Sequence, residues 1–167
     1  MKNFNTNTDN NETWLTPPEL VKALGKFDLD PRQAIGQPWS HAGKFWTKLD
    51  NGLVQPWFGR VWLNPPYGRE TFKWVKRLSE HKNGLALIFA RTETKGFHKE
   101  IWEKAHSVFF FKGRIKFCRI DGTIGDSANA PSCLVSYSKM DSLRIVEAIE
   151  NKSISGKFVL LDNLSDL

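Results

Sequence analysis

Val61-Trp62-Leu63-Asn64-Pro65-Pro66-Tyr67-Gly68 is the stretch on which the fold class turns. Three apolar residues read as a short strand, and the strand must stop at Pro65-Pro66, because proline offers no N–H to a ladder. Directly after it, 71–82 carries Phe72, Val75 and Leu78 at helical spacing, with Lys73, Lys76 and Arg77 on other positions. The run 85–90 is continuously apolar, the pattern of a strand buried on both faces. Phe97, Ile101 and Trp102 then give 96–105 a helical pattern, and 107–111 reads as another buried strand. Strands alternating with helices predict an α/β sandwich, a mostly parallel sheet with helices on both faces.

Working outward, Thr16-Pro17-Pro18-Glu19 reads as a capping box opening a helix whose buried stripe is Leu20, Val21 and Leu24, with Gly25 as its stop. Phe27-Asp28-Leu29-Asp30-Pro31 follows as a short strand that breaks at its proline. Residues 32–60 hold Gly36, Pro38, Gly43, Gly52, Pro56 and Gly59 and read as loops. Two strands are expected at 115–120 and 132–137, paired antiparallel across a polar loop at 121–131. A helix is expected at 140–150 and a short apolar segment at 157–161. Residues 1–12, polar and rich in Asn, read as a disordered leader. The remainder, 13–167, reads as one domain with no separate large target-recognition domain and no internal repeat.

The 167 residues, 40% of them hydrophobic and 25% charged, suit a single folded domain with a real core. No apolar stretch approaches the roughly 20 residues needed to cross a bilayer, and the first residues lack the apolar core of a secretory signal. A cytosolic setting is the expectation. Cys118 and Cys133 form neither a CxxC pair nor a disulfide framework, so buried thiols are expected and no metal site. A net charge of +6 suits a polyanionic partner, and seven Trp are numerous enough to include base-stacking rings as well as core rings. Oligomeric state is not legible.

In α/β sheets ligands collect beyond the carboxyl ends of the strands. Asp28 to Pro31 and Asn64 to Tyr67 both stand at strand ends, so one crevice can receive both. An Asn carboxamide oxygen accepts from an amino group, and the carbonyl of Pro65 is a second acceptor close by. Two acceptors on one exocyclic NH2 pull its nitrogen out of conjugation and leave the lone pair more nucleophilic. Tyr67 adds a flat face for a base. A rigid strand-ending turn is the plainer role open to the same four residues.

The tetrapeptide Asn64-Pro65-Pro66-Tyr67 resembles the catalytic motif of amino-methyltransferases that use S-adenosylmethionine, in the form associated mainly with adenine N6 and found also in enzymes that methylate glutamine side chains. With Trp14-x-Thr16-Pro17, Phe27 to Pro31, Asp50-x-Gly52-Leu53, Trp57-x-Gly59 and Gly113-Arg114-x-x-Phe117, it resembles the phage-encoded DNA N6-adenine methyltransferase (Dam) family from about Trp14 to Tyr137. The resemblance implies a Rossmann-like S-adenosylmethionine-dependent methyltransferase fold, adenine methylation in DNA with base flipping, and a role in restriction evasion in a bacterial cytoplasm. It further implies that Trp14, Thr16 and Pro17 shape the cofactor pocket and that Asp30, beside Pro31, holds the methionine end. Asp28 can share that task or cap a turn; Asp50 can meet the cofactor or remain a surface residue.

Arg69, Lys73, Lys76 and Arg77 follow the tetrapeptide where phosphates of a flipped nucleotide would lie, though a solvated helix face gives the same pattern. Arg91 extends that rim after the strand at 85–90. One departure stands out: no GxG follows Asp30-Pro31, and the nearest glycine is Gly36. Two alternatives remain open, methylation of RNA or of a protein glutamine, and a basic DNA-binding protein without chemistry. The few segments left for reading base edges predict a short recognition sequence or broad adenine methylation.

Overall fold

A computed structural model of the chain describes residues 13–161; the expected leader at 1–12 lies outside the described residues. The order is α1 (Pro18–Ala23), β1 (Phe27–Asp30), β2 (Ala42–Phe45), β3 (Val61–Leu63), α2 (Thr71–His81), β4 (Gly84–Phe89), α3 (Lys95–Phe97) with a π-helical turn (His98–Trp102), β5 (Ser107–Phe111), β6 (Lys116–Cys118), β7 (Ile124–Ser127), β8 (Ser132–Ser136), α4 (Lys139–Glu150) and β9 (Gly156–Leu160). Seven strands form one sheet in the order β2-β1-β3-β4-β8-β5-β9, and β6 and β7 form a separate hairpin. Pairings among β2, β1, β3 and β4 are parallel. Those of β8 with β4 and β5, and of β9 with β5, are antiparallel. The sheet is therefore mixed, parallel on the side that carries the Asn64 motif. Among the described residues no helix is long and apolar enough to cross a membrane.

Side-chain alternation divides the core between the two faces of the sheet. Leu29, Val61, Leu63, Ala86 and Ile88 face Trp74, Val75 and Leu78 of α2 and Phe97 and Ile101 beyond it. Trp62, Leu85, Leu87 and Leu134 face Val21 of α1 and Ile145 and Ala148 of α4, and Phe27 joins them because β1 departs from strict alternation where the Asp28 and Leu29 amides both donate to the Arg60 carbonyl. Each fully buried side chain of this size contributes about 1.5–3 kcal/mol, so the two faces together hold the layers in place.

Three local expectations are corrected. The strand at 115–120 is the shorter β6, and it pairs with β7 inside the expected loop rather than with β8. β8 enters the main sheet between β4 and β5, where both its edges are paired and all five of its residues are buried. Asp121 instead closes a tight turn by accepting from the Thr123 amide and hydroxyl, with Gly122 at φ +87°. The helix at 96–105 is short and passes into a π turn, where the freed carbonyl of Glu100 accepts from the Tyr137 hydroxyl at 2.5 Å. The capping box does not form: α1 starts at Pro18 without a side-chain cap, and the Thr16 hydroxyl is used elsewhere.

At the amino end of the parallel strands a buried carboxylate ties the layers together. Asp141 of α4, 1% exposed, accepts from the Arg60 guanidinium at 2.7 Å, the Gly84 amide at 2.8 Å and the Ser138 hydroxyl at 2.6 Å. Arg60 also donates to the carbonyls of Leu24 and Lys26 and lies over the Phe27 ring. Removing one member of such a group strands the other charge without a partner. Asp141→Ala is expected to cost about 3–5 kcal/mol of stability, read as a lowered urea midpoint, while Asn at the same position loses less.

Candidate active site

From β1 the chain runs to β2 on one side and returns to β3 on the other, so a crevice opens beyond the carboxyl ends of β1 and β3. Asp30 is the last residue of β1, and Asn64 directly follows β3. A pocket of about 460 Å³ occupies the crevice, lined by Trp14, Thr16, Asp30, Arg32, His41, Trp62 and Asn64 through Tyr67 among others. That volume suits a nucleoside-sized ligand.

The roof is the segment before α1. Leu15 exchanges two backbone hydrogen bonds of 2.8 Å with Cys118, which adds the segment to β6 as a short third strand. Trp14 packs so closely under Gly125 of β7 that a Cβ there would lie 2.2 Å from the indole, and Arg119 lies over the same ring. The hairpin thus places Thr16 at the pocket wall.

Asn64 donates from Nδ2 to Thr16 Oγ1 at 3.1 Å, while its Oδ1 is buried and has no hydrogen-bond partner among the described residues. Pro65 is buried, and among the described residues no hydrogen bond reaches its carbonyl; the Pro66 carbonyl accepts from Thr71 at the start of α2. Two acceptors are thereby left for an incoming donor. Tyr67 stacks on Phe89, with ring centroids 4.1 Å apart and planes within 11°. One face of the Tyr67 ring is covered, and the residue as a whole is 41% exposed.

Asp30 is 4% exposed and accepts from the Arg32 amide at 3.0 Å. Burial pushes its carboxyl up to about 7, against the smaller opposing pull of the Arg32 amide and guanidinium. The loop that stands where a glycine-rich turn was missed is held by polar contacts. Gln33 donates its amide to the Trp46 carbonyl and accepts from Ser40, and Gln37 donates to the Trp39 carbonyl. His41, edge-on to Trp62, is lowered to about 4 by burial and is neutral at pH 7.

The structure brings Trp14, Thr16, Asp30, Asn64, Pro65, Pro66 and Tyr67 to one pocket. Pro17, Asp28, Pro31 and Asp50 are not in its lining. Asp28 accepts from the Arg60 amide at 2.7 Å, and Asp50 closes its own turn by accepting from the Thr47 amide and hydroxyl. Pro31 is buried with its carbonyl against Gly52. Among the cations, Lys73 and Lys76 pair with Glu70 and Glu80 on their own helix. Arg77 donates to the carbonyls of Leu53 and Gln55 and lies over Trp57, holding that loop on α2. These three line a separate depression with Trp57 and His81. Arg69 is exposed just past the motif, and exposed Arg91 lies over Phe89, the ring behind Tyr67.

Sequence reasoning missed Arg32, His41, Lys48 and Trp62 in the lining and Phe89 behind Tyr67. Trp62 was accessible by parity, since it stands two residues before Asn64 and so shares its side of the strand. His41 and Lys48 come from loops that carry no periodic signal.

The model of the family described as DNA N-6-adenine-methyltransferase (Dam) matches residues 3–157. A curated DNA N-6-adenine-methyltransferase of Escherichia phage T1 is 28% identical over 120 residues, covering 66% of this chain and 49% of the relative. The chain thus spans about half the length of that relative. No solved structure matches the chain. With a family match that runs from before the pocket roof to the last strand, the chain belongs to the DNA N-6-adenine-methyltransferase (Dam) family.

Proposed function

We propose that this chain transfers a methyl group from S-adenosylmethionine to N6 of an adenine in DNA, on a Rossmann-like sheet, with the target base taken out of the duplex. The buried, unpartnered Oδ1 of Asn64, next to the unpartnered Pro65 carbonyl, carries the reading. An acceptor left open in this way costs stability unless a donor arrives to fill it, and an exocyclic amino group brings two protons for the two oxygens. The family match and the name of the phage T1 relative favour adenine in DNA as the bearer of that group.

The pocket residues fit the proposed methyl donor. Asp30, a nearly buried carboxylate at the crevice, suits the α-ammonium of a methionine moiety, and a charge-assisted hydrogen bond there is strong. When bound, S-adenosylmethionine supplies a methyl carbon on a positively charged sulfur. Asn64 and Pro65 would hold the adenine amino group with its lone pair directed at that carbon, and the amine would give up one proton to water. Tyr67 offers its uncovered face to the adenine ring, recovering part of the few kcal/mol that unstacking costs. Restriction evasion in a bacterial cytoplasm is the setting we propose for this activity.

Purified protein incubated with methyl-labelled S-adenosylmethionine and unmethylated DNA is expected to yield N6-methyladenine on nucleoside analysis. DNA binding without incorporation would instead identify a binding protein. Asn64→Ala is expected to lower the single-turnover rate by roughly 100-fold or more, with cofactor affinity within about twofold of wild type.

The raised carboxyl of Asp30 sets two pH dependences. A carboxyl that ionises near 3.8 in the unfolded chain and about 7 in the folded one costs nothing below the lower value; the cost grows between the two and is complete above the upper one. Asp30→Asn is therefore expected to stabilise the ligand-free protein at pH 8, by on the order of 4 kcal/mol at most, with no gain near pH 4. Cofactor binding needs the ionised form, so affinity rises from pH 6 to pH 8 in wild type and stays flat in Asp30→Asn. Urea unfolding at pH 4 and pH 8 checks the first sign, and calorimetric titration at pH 6 and pH 8 checks the second.

A further inference from the structure

In the depression on α2, Lys73 and Lys76 are ion-paired and Arg77 is committed to backbone carbonyls. Beside α4, the hydroxyls of Ser107, Ser136 and Ser142 and the ring of His106 satisfy one another. The Thr16 contact differs, because it touches the group on which the chemistry depends.

We propose that Thr16 is a positioning residue that sets which way the Asn64 carboxamide points, and that it does so according to whether the pocket is filled. The inference rests on the functional reading above. A carboxamide turned by half a rotation presents NH2 where it now presents oxygen, and two NH2 groups facing each other repel. Nothing in the shape of Asn64 prevents that turn, since the two ends are nearly equal in size. The Thr16 hydroxyl can break the symmetry, and the structure shows one of the two orientations. It accepts from Nδ2 at 3.1 Å and leaves Oδ1 for the substrate.

A threonine hydroxyl has one proton to donate and two lone pairs to accept with. Among the described residues the Thr16 proton has no acceptor, and Thr16, 2% exposed, lines the same pocket as Asp30 and Asn64. While the proton is unspent, the hydroxyl can rotate and donate to an amide oxygen, which accommodates the turned carboxamide equally well. Once an acceptor on the pocket's occupant takes the proton, the hydroxyl can only accept, and the carboxamide is confined to the orientation with Oδ1 free. The roof makes this possible, because the paired hydrogen bonds between Leu15 and Cys118 leave Thr16 little freedom to withdraw. Filling the pocket therefore prepares Asn64 for the amino group, a coupling between two ligands through one hydroxyl.

The test is a binding measurement on short duplexes built on the site that wild-type protein methylates, with either adenine or unsubstituted purine at the target position. Purine lacks the amino group, so the ratio of the two affinities reports the Asn64 contact. With S-adenosylhomocysteine present, wild type is expected to favour adenine by about tenfold, and without it by much less. Thr16→Val keeps the shape and loses the hydroxyl, and is expected to show the same small preference with and without S-adenosylhomocysteine, together with a single-turnover rate lowered by about tenfold or more. Thr16→Ser restores both. Should Thr16→Val fail to fold, Thr16→Ala carries the same expectation. A folded hydroxyl-free variant that keeps the ligand-dependent preference overturns the proposal and leaves adenine methylation standing. Wild-type protein that methylates no adenine removes both.

Discussion

The register between β1 and β3 is the constraint on which the site depends. It is pinned at the amino end, where Asp28 clasps the backbone of Arg60. The Asp28 carboxylate accepts from the Arg60 amide at 2.7 Å, and the Arg60 carbonyl accepts from the Asp28 amide at 2.7 Å. Gly59 turns beneath that carboxylate at φ +60°, and a Cβ there would lie 2.4 Å from an Asp28 oxygen. Leu29 then stands opposite Val61, and the two strands run in step to Asp30 and Asn64. A slip of one residue would turn Trp62 and Asn64 to the other face and separate the acceptors from the buried carboxylate. Asp28 thus serves the pocket from outside it.

The two ends of the sheet are built on opposite principles. At the amino end, Asp141 meets a guanidinium, an amide and a hydroxyl. At the carboxyl end, Asp30 is nearly as buried with one amide donor, Asn64 Oδ1 has none among the described residues, and the buried indole N–H of Trp62 is likewise unpartnered. Each such group is destabilising by about 1–3 kcal/mol. Strain of this kind persists where the surrounding structure is strong enough to hold it; at the amino end the Asp141 carboxylate is fully engaged and supplies that strength, although Arg60 Nη2 there has no partner among the described residues.

How much of this was legible follows from how each residue signals. β4, β5 and α2 appeared close to their observed bounds because unbroken apolar runs and helical spacing are strong local patterns. The edge strand β2, Ala42–Phe45, carries Gly43 and Lys44 and is mostly exposed, so it left no pattern to read. The antiparallel placement of β8 depends on which neighbours complete its burial, a property of the assembled sheet. Asn64 and Asp30 stand at strand ends that prolines mark in the sequence, whereas Asp28 and Asp50 offered the same chemistry and only geometry showed them bonded to the backbone amides of Arg60 and Thr47. Thr16 was misread as a helix cap for the same reason, since its true partner lies 48 residues away.

The cation pattern narrows the approach of a polyanion. A row of Lys and Arg on α2 reads as a phosphate track, yet Glu70 and Glu80 neutralise two of its members and Arg77 is turned inward to hold the 53–57 loop. Pairs as exposed as these are worth little in stability, but they reduce the field such a track would offer. Arg32 and Lys48 instead line the pocket itself, and Arg91 sits behind the Phe89–Tyr67 stack. Because Phe89 covers one face of Tyr67, a base can stack only on the other. On the proposed reading, a base that stacks on Tyr67 meets the face Phe89 leaves free, in the pocket beyond the carboxyl end of β3 and outside the depression on α2.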